Sequence, residues 1–461
     1  MSLMHGCREF SWQQRLSRRE LLSIGTAGLG LTLPQFFQLH AASASSERSG
    51  SFGSAKSVIF IFLHGGPPQH ETWDPKPEAP ANVRGQFGQI ATAIPGLHFG
   101  ELFPRCAALA DRLTVVRSMS HDNPNHVQAC LPAMTGHQHP PSVRSRGDFP
   151  PSDSDFPHFG AVLDHLRPGN QQMPNWVQLG PLMTRNNGTV LHGQSPGFLG
   201  RSHSPLTVDQ DLTADDVKIE AIPPSIAIRR LQDRRNLLAE IDSQRRRLAD
   251  AGTATRQTFR ERAYNLLTSE ATRNAFDLSA ESPTVRDRYG RHHVGQCCLL
   301  ARRLVEAGLP FVNIHYCKTP RGSWDTHSRN FTKMQESLGP TLDQSLPVLI
   351  DDLEQRGMLD DVLVMPMAEF GRTPKINAKA GRDHWPFVYS LAFAGAGLKR
   401  GAVIGQSDSL GAYPQSTAYH PADMAATIYH LLGIPADTTL YDRQERLQRL
   451  VVGRKIDAIL A

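Results

Sequence analysis

Short apolar runs, each followed by a cluster of polar side chains, recur along the chain. Residues 57–63 form a run without a charge, and residues 362–365 form a shorter one. Both have the length and composition of strands that are buried on both faces of a sheet. The same pattern predicts further strands at 113–117, 176–179, 311–316 and 388–393.

Amphipathic segments between these strands predict helices. Apolar residues recur at helical spacing in the segments 102–113, 127–134, 226–267, 294–308, 342–356 and 424–432. The repeated alternation of strand and helix indicates an α/β fold, a three-layer α/β/α sandwich around a mostly parallel central sheet. We expect residues 55–461 to form a single domain with a loop-rich and helical insertion at 137–290.

Polar side chains gather where the predicted strands end. The first strand is followed by His64 and the pair Gly65-Gly66, and the two glycines allow a tight turn or a close approach of the backbone to a ligand. Because the carboxyl ends of parallel strands share an edge of the sheet, we expect the polar groups of several strand ends to converge there. Those at later strand ends are Asn125, His126, Asp325, His327, Glu369, Arg372 and His384.

Imidazoles and carboxylates in this arrangement have two chemical uses. They are ligands of zinc and related divalent ions, and they also serve as general acid and base around an anionic ester. A helix that begins near His126 would direct its free N–H groups at a bound phosphate or sulfate. The alternative is structural, because Asn125 can simply cap that helix.

Charge and cysteine content argue against two other functions. The net charge of +5, from 49 basic and 44 acidic residues, is too small and too dispersed for a nucleic-acid-binding protein. The Arg-rich segment 226–267 is typical of a solvated helix face. The six cysteines show no metal-type spacing, so we expect buried thiols rather than a zinc site.

The N-terminal segment resembles an export signal. Arg18 and Arg19 precede a mildly apolar run at 24–39 and the small-residue tract 41–44, the pattern of a twin-arginine signal with a cleavage region. The run is rich in glycine and interrupted by Pro34, which makes it a poor transmembrane anchor. We expect a signal peptide at 1–44 and a linker at 45–54. The twin-arginine machinery would export the chain to the periplasm or the cell exterior, with no stable membrane span in its mature form.

Several motifs resemble the domain-of-unknown-function 1501 family, an exported bacterial branch of the alkaline phosphatase and sulfatase superfamily. They are HGGPPQHETWDPKP, LLARRLVEAGLPFVNIH, WDTH, LEQRGMLDDVLVMPMAEFGRTP, GRDHWP and TIYHLLGIP, and they extend over nearly all of residues 57–461. The resemblance implies an alkaline phosphatase-like sandwich that hydrolyses phosphate or sulfate esters with the help of a divalent metal.

By position, the resemblance keeps some of the superfamily's metal ligands and changes others. Glu369 stands where the superfamily has the Asp of an Asp-His-Gly motif, and His384 stands where it has its last metal-binding His. His64 replaces an Asp after the first strand. Asp325 is followed by His327 after two residues rather than four. The resemblance therefore implies a divalent metal without implying the two-zinc site of the phosphatases.

The nucleophile position departs furthest from the superfamily. Sulfatases carry a Cys, Pro, Arg signature whose Cys lies nine residues before a Thr-Gly pair, and nine residues before Thr135 is His126. Cys130 imitates the signature, but Met134 stands in place of its Arg, so a formylglycine sulfatase is not expected. Four roles are open for His126: a nucleophile that attacks phosphorus, a base to a metal-bound water, only a metal ligand, or a site residue with no catalytic role.

These observations predict an exported metal-dependent hydrolase of phosphate or sulfate esters, with a small-molecule or glycan ester as substrate and zinc, calcium or manganese as the metal. The alternative is a non-catalytic exported binding protein of the same fold that recognises anionic glycans or a surface partner, because the usual nucleophile is missing. The expected metal ligands are His64, Asp325, His327, Glu369 and His384; His126 and Arg372 are expected to be catalytic, and Asn125, Arg372, Gly65 and Gly66 to bind substrate.

Overall fold

The central sheet joins the predicted strands. In chain order the strands are β1 (Ser57–Phe62), β2 (Gln89–Ala91), β3 (His98–Gly100), β4 (Leu113–Met119), β5 (Trp176–Leu179), β6 (Leu206–Val208), β7 (Phe311–His315), β8 (Val362–Met367), β9 (Gly371–Arg372), β10 (His384–Trp385), β11 (Tyr389–Ala394), β12 (Ala402–Ile404), β13 (Thr439–Tyr441) and β14 (Leu447–Arg449). The order across the main sheet is β12-β4-β11-β8-β1-β7-β5-β6, and β2-β3, β9-β10 and β13-β14 form separate pairs.

The computed structural model describes residues 50–168, 173–185, 187–215, 269–316 and 324–461, together with residues 217, 219, 230, 233 and 236. The predicted signal peptide at 1–44 and nearly all of the predicted helix at 226–267 lie outside these residues. Among the residues described, no helix is both long enough and apolar enough to cross a bilayer.

The main sheet is mostly parallel, as predicted. β1 lies at its centre and pairs in parallel with β7 on one side and β8 on the other. The outer pairs β5–β7, β5–β6 and β4–β12 are parallel as well. Only β11 runs the other way among these eight described strands, because it is antiparallel to both β4 and β8.

Helices cover the sheet in two groups. In chain order they are α1 (Ala81–Arg84), α2 (Pro104–Ala108), α3 (His126–Thr135), α4 (Pro141–Arg144), α5 (Phe159–Leu166), α6 (Glu270–Phe276), α7 (Pro283–Tyr289), α8 (His293–Glu306), α9 (Asn330–Lys333), α10 (Gly339–Gln355) and α11 (Pro421–Leu431). α8 packs on β7 and β1, and α2, α6, α7 and α10 join it in one group. α5 packs on β5 and β7, while α3 packs on α11 in the other group. The mixed α/β fold with a mostly parallel sheet is confirmed.

The structure corrects one helix and places most of the cysteines. The segment predicted as a helix at 102–113 is a short helix, α2, followed by a 3-10 turn at Ala110–Arg112. The break falls at Leu109, whose φ and ψ of −105° and 14° are not helical. The cysteines within the described residues are buried, as expected; they are Cys106, Cys130, Cys297 and Cys298.

The register of the central strands sets the position of the site. Phe62, near the end of β1, lies opposite His315 of β7 and Met367 of β8. His64 and Glu369 each follow two residues after this row, so they leave the same edge of the sheet side by side. The backbone continues the contact beyond the strands, because Trp324 N donates to the carbonyl of His64 at 3.1 Å.

A candidate metal centre at the carboxyl edge of the sheet

Two glycines allow three strand ends to approach one another. Gly65 has a φ of +110°, and a Cβ at this position would lie 2.2 Å from the backbone N of Asp325. Gly66 has a φ of +84°, and its Cβ would lie 2.6 Å from the carbonyl oxygen of Phe370. Only glycine fits such contacts and backbone angles. Both glycines are buried, and the groups next to them belong to the backbone of Asp325 and Phe370 rather than to a ligand.

Four ligand-type side chains converge at this edge. Asp325, His327, His384 and His126 each offer an atom, and the four atoms lie within 4.8 Å of one another. Asp325 Oδ1 is 3.1 Å from His327 Nε2, 3.4 Å from His384 Nε2 and 3.3 Å from His126 Nε2. The two Nε2 atoms of His327 and His384 are 2.8 Å apart.

Hydrogen bonds on the far side of each ring determine which nitrogen faces the centre. His384 Nδ1 lies 2.7 Å from the carbonyl oxygen of Pro124, which can only accept, so Nδ1 carries the proton. His327 Nδ1 donates to Asp383 at 2.6 Å, and His126 Nδ1 donates to Glu369 Oε1 at 2.6 Å. In their neutral forms, all three rings therefore present the lone pair of Nε2 to the same group. Metal-binding histidines are held by this kind of outer hydrogen bond.

The spacing of these atoms fits a tetrahedral ion. Zinc bound at about 2.0–2.1 Å has neighbouring ligands about 3.3 Å apart. The three distances from Asp325 Oδ1 and the distance between His327 Nε2 and His384 Nε2 are 2.8–3.4 Å, and all four atoms lie within 4.8 Å of one another. His126 Nε2 is buried and has no hydrogen-bond partner within the described part of the chain. The residues present thus fit a divalent transition-metal ion. The group is open to solvent on one side, because the side chain of His327 is 45% exposed.

Glu369 and His64 form a second group behind His126. Glu369 Oε1 accepts from His126 Nδ1 and from the backbone N of Gly65, and it lies 3.7 Å from His64 Nε2. Because His126 uses its Nδ1 proton for Glu369, the same atom is not a free lone pair for a second ion. In this tautomer Glu369 orients His126. His64, His126 and Glu369 nevertheless offer ligand-type atoms within 4.8 Å of one another, so the ligand roles predicted for His64 and Glu369 stay predictions.

Burial and charge set the protonation of these residues. Burial lowers the pKa of His64 and of His384 to about 4, so both rings are neutral near pH 7. Burial would raise the pKa of Glu369, but the nearby His64 and the hydrogen bond from His126 outweigh it and lower that pKa to about 2. The hydrogen bond with Asp325, followed by that with Asp383, raises the pKa of His327. The carboxylate of Glu369 and the ring of His384 are therefore in the forms that bind metal, whereas the raised pKa of His327 favours its protonated form, so metal binding there would release a proton.

Arg372 occupies a different position from the one expected of a substrate-binding residue. It is fully buried, and its guanidinium donates to the carbonyls of Gly65, Gly66 and Arg382. Its Nη2 also donates to Asp325 Oδ1 at 2.7 Å. The position supports a role in holding Asp325, and it gives no support to contact with a substrate anion.

Asn125 and the glycines likewise have internal partners. Asn125 caps α3, because its Oδ1 accepts from the backbone N of Gln128 at 3.2 Å, while its Nδ2 donates to Asp148. Gly65 donates to Glu369, as described above. The positions of these residues give no support to the predicted substrate-binding roles. Asn125 is a helix cap, which is the alternative that the sequence also allowed.

Several residues of the site carried no signal on their own in the sequence. Glu71 and Arg382 form a buried ion pair with N···O of 2.6 Å beneath the loop that carries His384. Lys333 lies at the mouth, with Nζ 3.3 Å from the backbone oxygen of Asp325. Glu71 lies in the motif HETWDPKP and Arg382 in GRDHWP, so their presence as charged residues inside these motifs was the sequence feature that could have identified them. Lys333 had none.

The fold and the site thus define a mixed α/β protein with a candidate divalent-metal centre at the carboxyl edge of its sheet. The chain belongs to the DUF1501 family, described as a protein of unknown function, whose model matches residues 55–460. No curated protein matches the chain.

Solved structures with a related arrangement are distant. Ps i-CgsB in complex with k-i-k-neocarrahexaose is 10% identical, with 86% of this chain and 74% of that chain covered and a TM-score of 0.40. The phosphonate monoester hydrolase SpPMH from Silicibacter pomeroyi is 12% identical, with 87% and 76% covered and a TM-score of 0.38. The lipoteichoic acid synthase LtaP from Listeria monocytogenes is 12% identical, with 86% and 78% covered and a TM-score of 0.35. Likeness at this level does not identify an activity.

Proposed function

We propose that the protein is an exported metal-dependent hydrolase of phosphate or sulfate esters. The observation that carries the proposal is the convergence of three imidazole lone pairs and a carboxylate oxygen at a solvent-facing point, formed by His126, Asp325, His327 and His384. The ester class comes from the motifs that resemble the alkaline phosphatase and sulfatase superfamily.

The metal would supply a Lewis acid that polarises the ester and offsets the negative charge of its transition state. The chain's own residues hold the site in shape. Glu369 accepts the Nδ1 proton of His126 and so keeps Nε2 as an acceptor. Arg372 donates to Asp325 and fixes the direction of its carboxylate. Lys333 places an ammonium group beside Asp325, where it can bind the substrate anion in place of the buried Arg372.

The formylglycine mechanism is not part of the proposal. Cys130, whose position imitates the sulfatase cysteine, is fully buried inside α3. Burial raises the pKa of its thiol well above the ordinary value, so it is neither ionised nor accessible. His126 pairs with Glu369 through Nδ1, and its Nε2 lies 3.3 Å from Asp325 Oδ1, which favours the ligand role among those considered for it.

Export remains part of the proposal on the grounds of the sequence. Arg18 and Arg19 with the apolar and small-residue tracts that follow support a twin-arginine signal at 1–44, outside the described residues. The mature protein would act in the periplasm or outside the cell on a small-molecule or glycan ester, after export by the twin-arginine machinery.

The test combines metal analysis with turnover. The full chain is stripped with a chelator, reloaded with Zn²⁺, Mn²⁺ or Ca²⁺, and assayed for bound metal and for hydrolysis of aryl phosphate, phosphonate and sulfate esters. We expect turnover with a bound ion, and in both His384→Ala and Asp325→Asn we expect the loss of turnover and of the one ion held at this centre. His430→Ala is the matched control, because this half-buried His contacts Ser51 rather than the site. A wild-type chain that binds none of these ions refutes the proposal.

A second candidate is the non-catalytic binding protein. It is favoured by the count of ligands, since four protein atoms already complete a tetrahedron as in structural zinc sites. On this reading the metal is bound without turnover of any ester. A phosphorylated or sulfated glycan would then still bind in calorimetry, and Asp325→Asn would lose that binding.

A further inference from the structure

A second group of metal-type side chains lies outside the candidate metal centre. His139, Asp155 and His192 each offer an atom, and these atoms lie within 4.8 Å of one another. Asp155 and His192 are buried, and His139 is partly exposed. The three come from separate loops of the segment 137–203, which has little regular structure.

The protonation of His192 follows from its surroundings. Its Nε2 lies 3.0 Å from the carbonyl oxygen of Phe149, which can only accept, so Nε2 carries a proton. In the neutral ring, Nδ1 then has a lone pair. That lone pair faces Asp155 Oδ2 at 2.5 Å and His139 Nε2 at 3.2 Å. Two or three acceptors thus face one another in a mostly buried place, which requires either a proton or a cation between them.

The outer contacts are those of a built site. The bond from His192 Nε2 to Phe149 is the outer-shell contact of a metal-binding imidazole. The other oxygen of Asp155 accepts from Ser152 Oγ at 3.1 Å, which fixes the carboxylate. The spacing of 3.2 Å between the two histidines matches two ligands of a tetrahedral ion, whose edges are about 3.3 Å. The carboxylate would move outward by less than about 1 Å to complete it.

A similar trio elsewhere in the fold shows the difference. His203 gives Nδ1 to Asp164 at 2.6 Å and the opposite nitrogen, Nε2, to His165 at 3.4 Å. Those three side chains therefore form a line. His192 instead turns the same nitrogen toward both of its partners, and only this convergent arrangement leaves a common point for an ion.

We propose that His139, Asp155 and His192 bind a divalent transition-metal ion, zinc or a metal of similar preference, that fastens three loops together. Two imidazoles and a carboxylate suit such ions, and water completes the coordination on the exposed side of His139. The inference is independent of the proposed hydrolase activity.

The ion would also support the main site from a distance. The backbone N of His192 donates to the carbonyl of Val127, the residue after His126. Gln128 in the same helix donates to the carbonyls of Arg144, at the end of α4, and of Gly147, in the loop after it. An ion bound by His139, Asp155 and His192 would thus hold in place the loops that pack beside the start of α3. The role is structural, because the three ligand atoms face one another.

Metal content tests the proposal. The full chain is stripped, reloaded with Zn²⁺, and analysed for zinc per chain and for the melting temperature with and without zinc. We expect His139→Ala and the isosteric Asp155→Asn each to bind one equivalent less than wild type and to lose part of the zinc-dependent rise in melting temperature. His165→Ala, from the linear trio, should behave as wild type.

The outcomes separate this site from the candidate metal centre. If His139→Ala and Asp155→Asn bind as much zinc as wild type, His192 and Asp155 are only a protonated ion pair and the proposal is overturned. His384→Ala reports on the main site alone. If it binds as much zinc as wild type while His139→Ala binds less, the hydrolase proposal loses its metal and the second site stands.

Discussion

The buried ion pair between Glu71 and Arg382 gives the sharpest prediction about how the site is held. Both side chains are essentially inaccessible to solvent, and Arg382 Nη2 lies 2.6 Å from Glu71 Oε1. Arg382 Nε lies 3.1 Å from both carboxylate oxygens. The guanidinium also donates to the carbonyls of Val83 and Thr373 at 2.7 and 3.0 Å. The pair joins the segment after β1 to the loop that leads into β10 and His384.

The perturbation is Glu71→Gln, which keeps the shape and removes the charge. Breaking a buried pair from one side costs about 3–5 kcal/mol, because the remaining charge has no counter-ion away from water. The carbonyl bonds of Arg382 survive the change, so we expect about 3 kcal/mol, the lower end of that range. The site should loosen as well. Arg382 donates its backbone N to Thr326 O at 3.0 Å and accepts from Arg372 Nη1 at 3.1 Å, which connects it to both sides of Asp325.

Urea unfolding of the zinc-loaded chain measures the free energy, and zinc titration measures the affinity of the site. The matched control is Asp361→Asn, because the pair Lys56–Asp361 has the same charges with side chains 74% and 45% exposed. An exposed pair contributes less than about 1 kcal/mol. If Glu71→Gln costs no more than Asp361→Asn and leaves zinc affinity unchanged, burial does not make this pair important and the reasoning is refuted.

Three further predictions concern substrate, acid stability and export. Lys333→Met should raise KM for an anionic ester roughly tenfold, equivalent to about 1.4 kcal/mol, and metal analysis should find the ion still bound at Asp325. Burial lowers the pKa of His158 from 6.5 to about 3, so its contribution is fully present above pH 6.5 and is lost as the pH falls from 6.5 toward 3. The loss is on the order of 4 kcal/mol, and urea unfolding of His158→Asn should depend less on pH in this window. The double substitution Arg18→Lys and Arg19→Lys should leave the chain in the cytoplasm with residues 1–44 attached, as cell fractionation would detect.

The fold was predictable because its strands are strongly patterned. A strand buried on both faces, such as β1 or β8, is an uninterrupted apolar run, and its end is marked by the first polar residues. The order of the strands was not predictable in the same way. The reversed direction of β11 depends on which strands lie beside it. Its apolar sequence, YSLAFA, suits parallel and antiparallel pairing equally well and so does not indicate the direction.

The sequence could predict which residues lie at the site, but it could not predict which of them share a ligand position. Polar residues at the ends of parallel strands must share an edge, so His126, Asp325 and His384 were expected near one another. Which of them share a point depends on the direction of each ring, and this is set by remote acceptors such as the carbonyl of Pro124. No pattern in the sequence reports that a backbone oxygen 260 residues away selects the tautomer of His384.

The position of Arg372 shows why the charge of a residue is a poor guide to its use. An arginine beside a carboxylate in a site for an anionic ester suggests contact with substrate, because its planar group matches phosphate and sulfate oxygens. Here the two glycines after β1 turn their carbonyls toward that group, and Arg372 is buried in satisfying them. The same glycines that let Asp325 approach therefore remove Arg372 from the mouth. The proposed cation for the substrate is therefore a side chain that no strand end marks, Lys333 on the short helix α9, whose Nζ lies 3.3 Å from the backbone oxygen of Asp325.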